Sequence, residues 1–324
     1  MTSAERFAEF YRTELLPYLQ QLEEQRKQIA AKVIRLGVVT GAIILAVGAA
    51  VLLLHLTPFI AIGTLFGGAV LFMFLFASMT KGYVAAFKDS IIGRIVKFVD
   101  QGLSYHKDAC IPEMVYLSSQ IFQHHPDRYR GEDMVRGMVG KTAIQFSEIH
   151  SEYKTETTDK DGKRKTEWHT IFKGIFFVAD FNKHFEGVTV VLPDVAQRLL
   201  GRFGQTLQSW NMTRTGELVR LEDVAFEERF VVYSTDQIEA RYLLSPGLMA
   251  RIVDFCVKTG QQVYLSFVGS HIFVAIPHSK DMFEPKLFSP IVSEELARDY
   301  LQDLLLAVGI VEELDLNTRI WTKQ

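Results

Sequence analysis

The sequence predicts an α+β protein: an N-terminal transmembrane helical hairpin with a helical stalk, then a mostly antiparallel β-sheet domain with packed helices. Three observations predict it. Residues 36–79 are almost uninterruptedly apolar, broken only at Thr57-Pro58. Helix-period stripes flank that stretch on both sides. Beyond about residue 110, β-type runs follow one another at hairpin distances more often than across helices. That order favours an antiparallel sheet with helices on one side over a doubly wound one.

The elements follow in chain order. Residues 2–32 read as an amphipathic helix, with Phe7, Phe10, Tyr11, Leu15, Leu19 and Leu22 on one face. Pro17 is expected to kink or divide it. Leu36 to Leu56 is a run of 21 residues without a formal charge, and Pro58 to Met79 a second of 22. Roughly 20 apolar residues cross a hydrocarbon core as a helix, so each run is long enough. A buried hairpin of a soluble protein would keep a polar face; these runs are apolar or small all round. Gly37-x-x-x-Gly41 and Gly63-x-x-x-Gly67 are spacings that bring helix backbones together in lipid. A secretory signal is not expected, because the run follows a long charged segment and no small-residue cleavage site precedes the second span.

After the second span, Ile91, Ile92, Ile95, Val96, Phe98, Val99 and Leu103 repeat the helical stripe. The economical reading pairs it with the N-terminal helix as an antiparallel stalk. The alternative lays either helix flat on the membrane, where Glu5, Glu9, Glu14, Glu23 and Glu24 would be repelled by anionic lipid. The expected domains are thus 1–32, 33–80, 81–106 and 107–324, the last with a possible subdivision near 209–216.

Charge sets the topology. Arg26, Lys27, Lys32 and Arg35 precede the first span, and Lys81, Lys88, Arg94 and Lys97 follow the second. The tip, His55-Leu56-Thr57-Pro58, has no Lys or Arg. The positive-inside rule then places both termini in the cytoplasm and the tip outside. Residues 1–97 hold 10 basic and 6 acidic side chains, and residues 98–324 hold 25 and 32. The basic part suits anionic head groups. The acidic part lacks the basic stripe that nucleic acid requires, so no nucleic-acid partner is expected. Cys110 and Cys256 lie on the expected reducing side, where a structural disulfide is disfavoured, and two lone cysteines make no zinc pattern.

In the soluble part, Pro112 is expected to open a short helix through Phe122, ended by His124-His125-Pro126. Strands are expected at 142–149, near Tyr153–Thr157 and near Trp168–Phe177, with the charged stretch 159–164 as a hairpin tip. Further strands are expected near Val188–Leu192, Leu218–Val224, Arg229–Tyr233, Ala240–Leu244, Gln262–Phe267 and His271–Ile276. One helix follows Asp194. Another starts at Ser245-Pro246 and stops at Gly260, and the last runs from Ser293 to about Gly309.

Several of these stretches carry a resemblance. They are Arg130-Gly131-Glu132-Asp133 with Gly137, Gly140 and Phe146-Ser147-Glu148; the run Thr170 to Lys183; the run Phe230 to Pro246; and Ala275-Ile276-Pro277 with Phe283-Glu284-Pro285 and the final Arg319 to Lys323. Together the chain resembles the bacterial membrane-protein family catalogued as domain of unknown function 3137. The resemblance covers most of the chain, spans included. It implies a prokaryotic two-span protein with a cytoplasmic domain, and it supplies no activity.

Candidate chemistry is sparse. Asp180, Asn182, Lys183 and His184 place four polar side chains in five positions after the apolar run Ile175–Ala179. They read either as a polar site with His184 as base or ligand, or as a turn shaped by Asp and Asn; the turn is the expectation. Glu239 and Arg241 lie two apart on an expected strand, hence on one face, as a solvated ion pair or an anion site. His106, His124 and His125 have no carboxylate or Cys at ligand spacing, so no metal is expected. Asp159-x-Asp161-Gly162 is not a calcium loop, since its Gly comes too early and the distal Glu is missing. Gly201-x-x-Gly204 does not follow a strand, so it is no phosphate loop, and there is no Gly-x-Ser-x-Gly elbow. No cofactor is expected.

The function expected from these residues is a non-enzymatic module of the prokaryotic inner membrane, with two spans. Its cytoplasmic domain would bind a protein or lipid partner. A membrane-tethered enzyme with its site near Asp180–His184 is the alternative. A transporter is disfavoured, because two spans without an internal charge offer no ion path.

Overall fold

A computed structural model of the chain describes residues 3–158, 164–181, 183–194 and 216–317. The chain divides into two compact units, Met1–Phe98 with Phe283–Tyr300, and Val99–Met282 with Leu301–Gln324.

The first unit is helical. It contains α1 (Ser3–Phe10), α2 (Leu16–Leu53), α3 (Pro58–Phe87) and α4 (Gly93–Val99), with π-helical turns at Tyr11–Leu15 and Lys88–Ile92. Pro17 does not divide the N-terminal helix. It sits in the first turn of α2, where a missing N–H costs nothing, and the irregularity is the π turn before it. The hairpin turns at residues 54–57, with extended Thr57 as N-cap and Pro58 as the first residue of α3. The two expected stripes pair, but the second ends with α4 at Val99, and Leu103, expected on it, opens a strand instead. The Phe10 and Phe98 rings stack at 4.3 Å, Phe7 meets Phe98 edge-on, and the Arg94 guanidinium lies 3.6 Å above Tyr18. Leu15, Leu19, Ile91, Ile92, Ile95 and Val96 are buried.

α2 and α3, at 38 and 30 residues, are long and apolar enough to cross a membrane. Their large side chains point outward: Leu45, Leu52, Phe59 and Phe66 are all more than 70% exposed, at 75, 77, 80 and 73%. The seam between them is not the expected pair of glycine spacings. A Cβ on Gly68 would lie 3.3 Å from Ile44 and 3.5 Å from Thr40, and one on Gly37 would lie 3.6 Å from Phe72, whereas Gly41, Gly63 and Gly67 have nothing within 4 Å. One helix supplies the small residue and the other the bulk that fills it.

Phe283–Tyr300 belongs to this helical unit through a buried polar network. Arg26 donates twice to Glu23, at 2.8 and 2.7 Å, and once to the Leu287 carbonyl at 2.6 Å. Glu23 also accepts the Ile291 amide at 3.1 Å. Lys88 pairs with Glu284 at 2.6 Å, and Tyr300 packs edge-on against Phe87.

Among its described residues the second unit forms a nine-stranded sheet in which every pairing is antiparallel. Its strands are β1 (Leu103–His106), β2 (Arg128–Val139), β3 (Thr142–Thr158), β4 (Arg164–Asp180), β5 (Val188–Pro193), β6 (Glu217–Val219), β7 (Phe230–Ser234), β8 (Tyr264–Val268) and β9 (His271–Pro277), in the order β1-β2-β3-β4-β9-β8-β5-β7-β6. One face carries a core of Tyr116, Ile149, Phe172, Phe176, Val190 and Phe273 among others. Ser147 and Ser151 are buried on that face but satisfied, by the Ile111 amide and the Tyr116 hydroxyl.

Several local expectations are corrected. β2 was not expected, because its charged and glycine-rich residues show no alternation. Ala240–Leu244 is not a strand but part of the helix Gln237–Leu243, since the Asp236 carboxylate caps the amides of Ile238 and Glu239. The strand at Leu218 stops at Val219, and Asp223 caps a helical turn at Val224–Glu227. The helix after Pro112 ends at Ser118, with Pro112 as its N-cap and Ser119 bonding back to the Tyr116 carbonyl. The last helix, Glu294–Glu313, runs through Gly309 because buried Ile310 and Val311 carry its apolar face on. The helix Pro246–Thr259 has the expected ends: the Ser245 hydroxyl accepts the Leu248 amide, and Gly260 closes it at φ +67°. The helix expected after Asp194, all but the last residue of the charged stretch 159–164 and most of the stretch 209–216 lie outside the described residues.

Candidate functional site

The sheet unit's most chemically loaded feature is an open groove of about 630 Å³, and none of the five described candidate residues lines it. Register builds it. Along one face of β3, Ile144 and Phe146 pair with Ala179 and Phe177 of β4. Glu148 then pairs with Ile175 and with Glu132 of β2, and His150 pairs with Lys173 and Arg130. Strand side chains on one face recur every second residue, so this face runs from apolar to charged within four pairs. Glu148 sits at the changeover.

Glu148 is 7% exposed, and one carboxylate oxygen accepts the Met282 amide at 2.7 Å. Burial pushes its carboxyl up to about 7. The carboxylates of Asp281, Asp133 and Glu132 push the same way, and the Met282 N–H opposes them. Three of the groove's cations face carboxylates other than Glu148. Lys173 pairs with Asp281 at 2.7 Å, Arg130 with Glu152 at 3.2 Å, and His150 approaches Glu152 at 3.8 Å.

Next to Glu148 the β2–β3 register shifts between Glu132 and Val135. Asp133, buried at φ +60°, sits in this bulge and accepts the Tyr105 hydroxyl. The Asp133 and Met134 amides turn to the carbonyls of Lys107 and Ala109 instead of to β3. Gly131 is obligatory here, as a Cβ would come within 2.4 Å of the Glu148 carbonyl. A bulge beside a buried carboxyl titrating near neutrality is a common arrangement at functional sites. It can take up or release a proton as its surroundings change. Burial pushes the Cys110 thiol in the same groove up, away from the thiolate.

The six expected residues are placed differently. Asp180 ends β4 opposite His271 and lines a separate groove of about 400 Å³ with Arg136 and Gln145. Asn182 lies outside the described residues. Lys183 places its ammonium 4.5 Å from the Tyr242 ring centre. His184 is exposed and, among the described residues, reaches only Ser270, at 3.4 Å. Glu239 accepts the amides of Glu186 and Gly187 at 3.3 and 2.9 Å, so it anchors the loop that carries Lys183 and His184. Arg241 turns back onto Gln237 of its own helix. Two residues apart on a helix is about 200° of rotation, so Glu239 and Arg241 do not share a face. Phe181 and Phe185 peg the loop against Phe267. His184→Ala is expected to change stability by no more than about 1 kcal/mol and to leave a cellular phenotype intact. A null phenotype from a folded variant with the parent's melting temperature would reverse that expectation.

The signal for Glu148 was present in the sequence. It stands at the next in-face position after Ile144 and Phe146, where the alternation calls for an apolar residue.

The comparisons with known proteins add a family. The family model described as protein of unknown function (DUF3137) matches residues 170–316. The match covers under half of the chain, and over that stretch the chain is similar to the family it was seen to resemble. No curated protein matches the chain. Among solved structures, the crystal structure of the mycobacterial trehalose monomycolate transport factor A is similar at 12% identity and a TM-score of 0.33. The likeness covers 72% of this chain and 98% of that one. A likeness of that size assigns this chain neither a fold nor a role.

Proposed function

We propose that this protein is a membrane-anchored binding module. α2 and α3 span a prokaryotic inner membrane, and both termini and the sheet unit lie in the cytoplasm, where the sheet unit meets a protein or lipid partner. The observation that carries this reading is the outward apolar surface of two long helices whose tip lacks a cation. Exposed leucine and phenylalanine over two such lengths need a lipid surround, and the flanking cations orient it. Reporter fusions at residue 57 and at the C-terminus test it. External activity is expected only at residue 57; external activity at the C-terminus would overturn the topology and the function built on it.

A second reading, a membrane-tethered enzyme, is favoured by one observation, and it points to Glu148 instead of Asp180–His184. Loss of function in a folded Glu148→Gln protein, with His184→Ala unaffected, would promote it.

A further inference from the structure

We propose that Lys32, Arg35 and Lys81 form a seat for the phosphate groups of anionic lipid at the cytoplasmic end of the hairpin, an inference that rests on the membrane insertion proposed above. The structure sorts the cations around the spans into two sets, and Lys97 belongs with the engaged ones. Arg26 is consumed by Glu23 and the Leu287 carbonyl, and Lys88 by Glu284. Lys27 pairs with Glu24, and Arg94 stacks on Tyr18 and donates to the Ser90 carbonyl. Lys32, Arg35 and Lys81 are exposed, and among the described residues none has an ion-pair, hydrogen-bond or ring partner.

They have no local prospect of one. From residue 25 to residue 88 the chain contains no Asp or Glu. Three cations on a stretch without a carboxylate must be balanced from outside the stretch. Position says by what. Arg35 immediately precedes the first apolar run, and Lys81 follows the second by two residues. Gly37 lies beside Phe72 and Gly68 beside Thr40, so the helices run antiparallel in a fixed register. That register brings Lys32 within roughly one helical turn, about 5–6 Å along the axis, of Lys81. The outward apolar side chains begin at the same level, with Ile34 57% and Val38 66% exposed. Cations at the rim of an apolar belt meet lipid phosphates: Arg offers a fork to two phosphate oxygens, and Lys a point charge. The opposite end of the hairpin has no such group, so the seat is confined to one leaflet.

The test uses the full chain. The protein is held in phosphatidylcholine micelles and titrated with phosphatidylglycerol, and retained lipid is read by native mass spectrometry. Each cation near a surface contributes about fivefold to anionic-lipid binding. The triple variant Lys32→Gln, Arg35→Gln, Lys81→Gln is therefore expected to lose roughly a hundredfold in phosphatidylglycerol preference while its melting temperature stays near the parent's. Lys27→Gln, which removes a cation already paired, is expected to keep the parent's preference. Soluble glycerol phosphate is expected not to compete; competition would make the site a free-phosphate site and overturn the lipid assignment. The proposal also falls if the triple variant keeps its preference, if Lys27→Gln loses as much, or if the parent shows none. Carbonate-washed membranes separate the two readings. A parent absent from them overturns the membrane anchor and the seat together, whereas a parent retained there without lipid preference overturns the seat alone.

Discussion

Arg26→Ala is expected to destabilise the helical unit by about 3 kcal/mol, the loss typical when one partner of a buried ion pair is removed. The side chain makes three bonds at once: a two-pronged fork onto Glu23 and a third bond to the Leu287 carbonyl. The side chains of Arg26 and Glu23 are 9 and 11% exposed. Without Arg26, Glu23 keeps its charge in a place that water barely reaches, and the Ile291 amide is its one remaining donor among the described residues. The hydrogen bond from Arg26 is the chief reason the Glu23 carboxyl sits below its ordinary range. The stability from this pair is therefore complete above that range and is lost as pH falls through the lowered value. Arg26→Lys keeps the charge but not the fork, so it should recover only part of the loss. Glu23→Leu with Arg26→Met removes both charges and should recover most of it. Melting temperature in detergent measures the loss, and proteolysis within 283–300 reports whether that segment has come away. Parent-like melting of Arg26→Ala would show that the pair does not fasten the segment.

This network marks where sequence reading ran out. The two long apolar helices were legible because a run of about 20 apolar residues needs no partner to be recognised. The helix Pro246–Thr259 was legible because Ser245, Pro246 and Gly260 are local signals. Arg26 and Lys88 looked like ordinary flanking cations, because the groups that bury them, Leu287, Ile291 and Glu284, lie in a distant part of the chain. The Arg26–Leu287 bond alone spans 261 positions. A boundary drawn at residue 107 consequently assigns Phe283–Tyr300 to the soluble part, although those residues belong with the helices. Ala240–Leu244 was misread for a different reason. Its side chains suit a strand, but the Asp236 cap four residues upstream sets the backbone first. The run Phe146-Ser147-Glu148 was visible as part of a resemblance. Its meaning depended on register, since only the pairing of Glu148 with Ile175 and Glu132 shows that a carboxylate occupies an apolar slot.

Glu148→Gln is expected to raise the melting temperature at pH 8 and leave it nearly unchanged at pH 4.5. The sign follows from the direction of the shift. The folded carboxyl titrates at about 7, above its ordinary value near 4.5, so the folded protein binds the proton more tightly than the unfolded chain does. Stability from the neutral form is complete below about 4.5 and is lost as pH rises through about 7. At pH 8 the parent therefore holds an ionised carboxylate among apolar neighbours and beside Asp281, Asp133 and Glu132. Gln keeps the shape and an oxygen for the Met282 amide while removing that charge. The gain at pH 8 should be about 2 kcal/mol, after allowance for screening at the groove mouth, and the parent's decline between pH 4.5 and 8 should flatten in the variant. Melting curves of parent and variant across that range decide it. Parallel curves would place the titration elsewhere and leave Glu148 a satisfied structural carboxylate. A flattened curve joined to lost function would identify stability surrendered at the groove for the sake of a proton that Glu148 can exchange near neutrality.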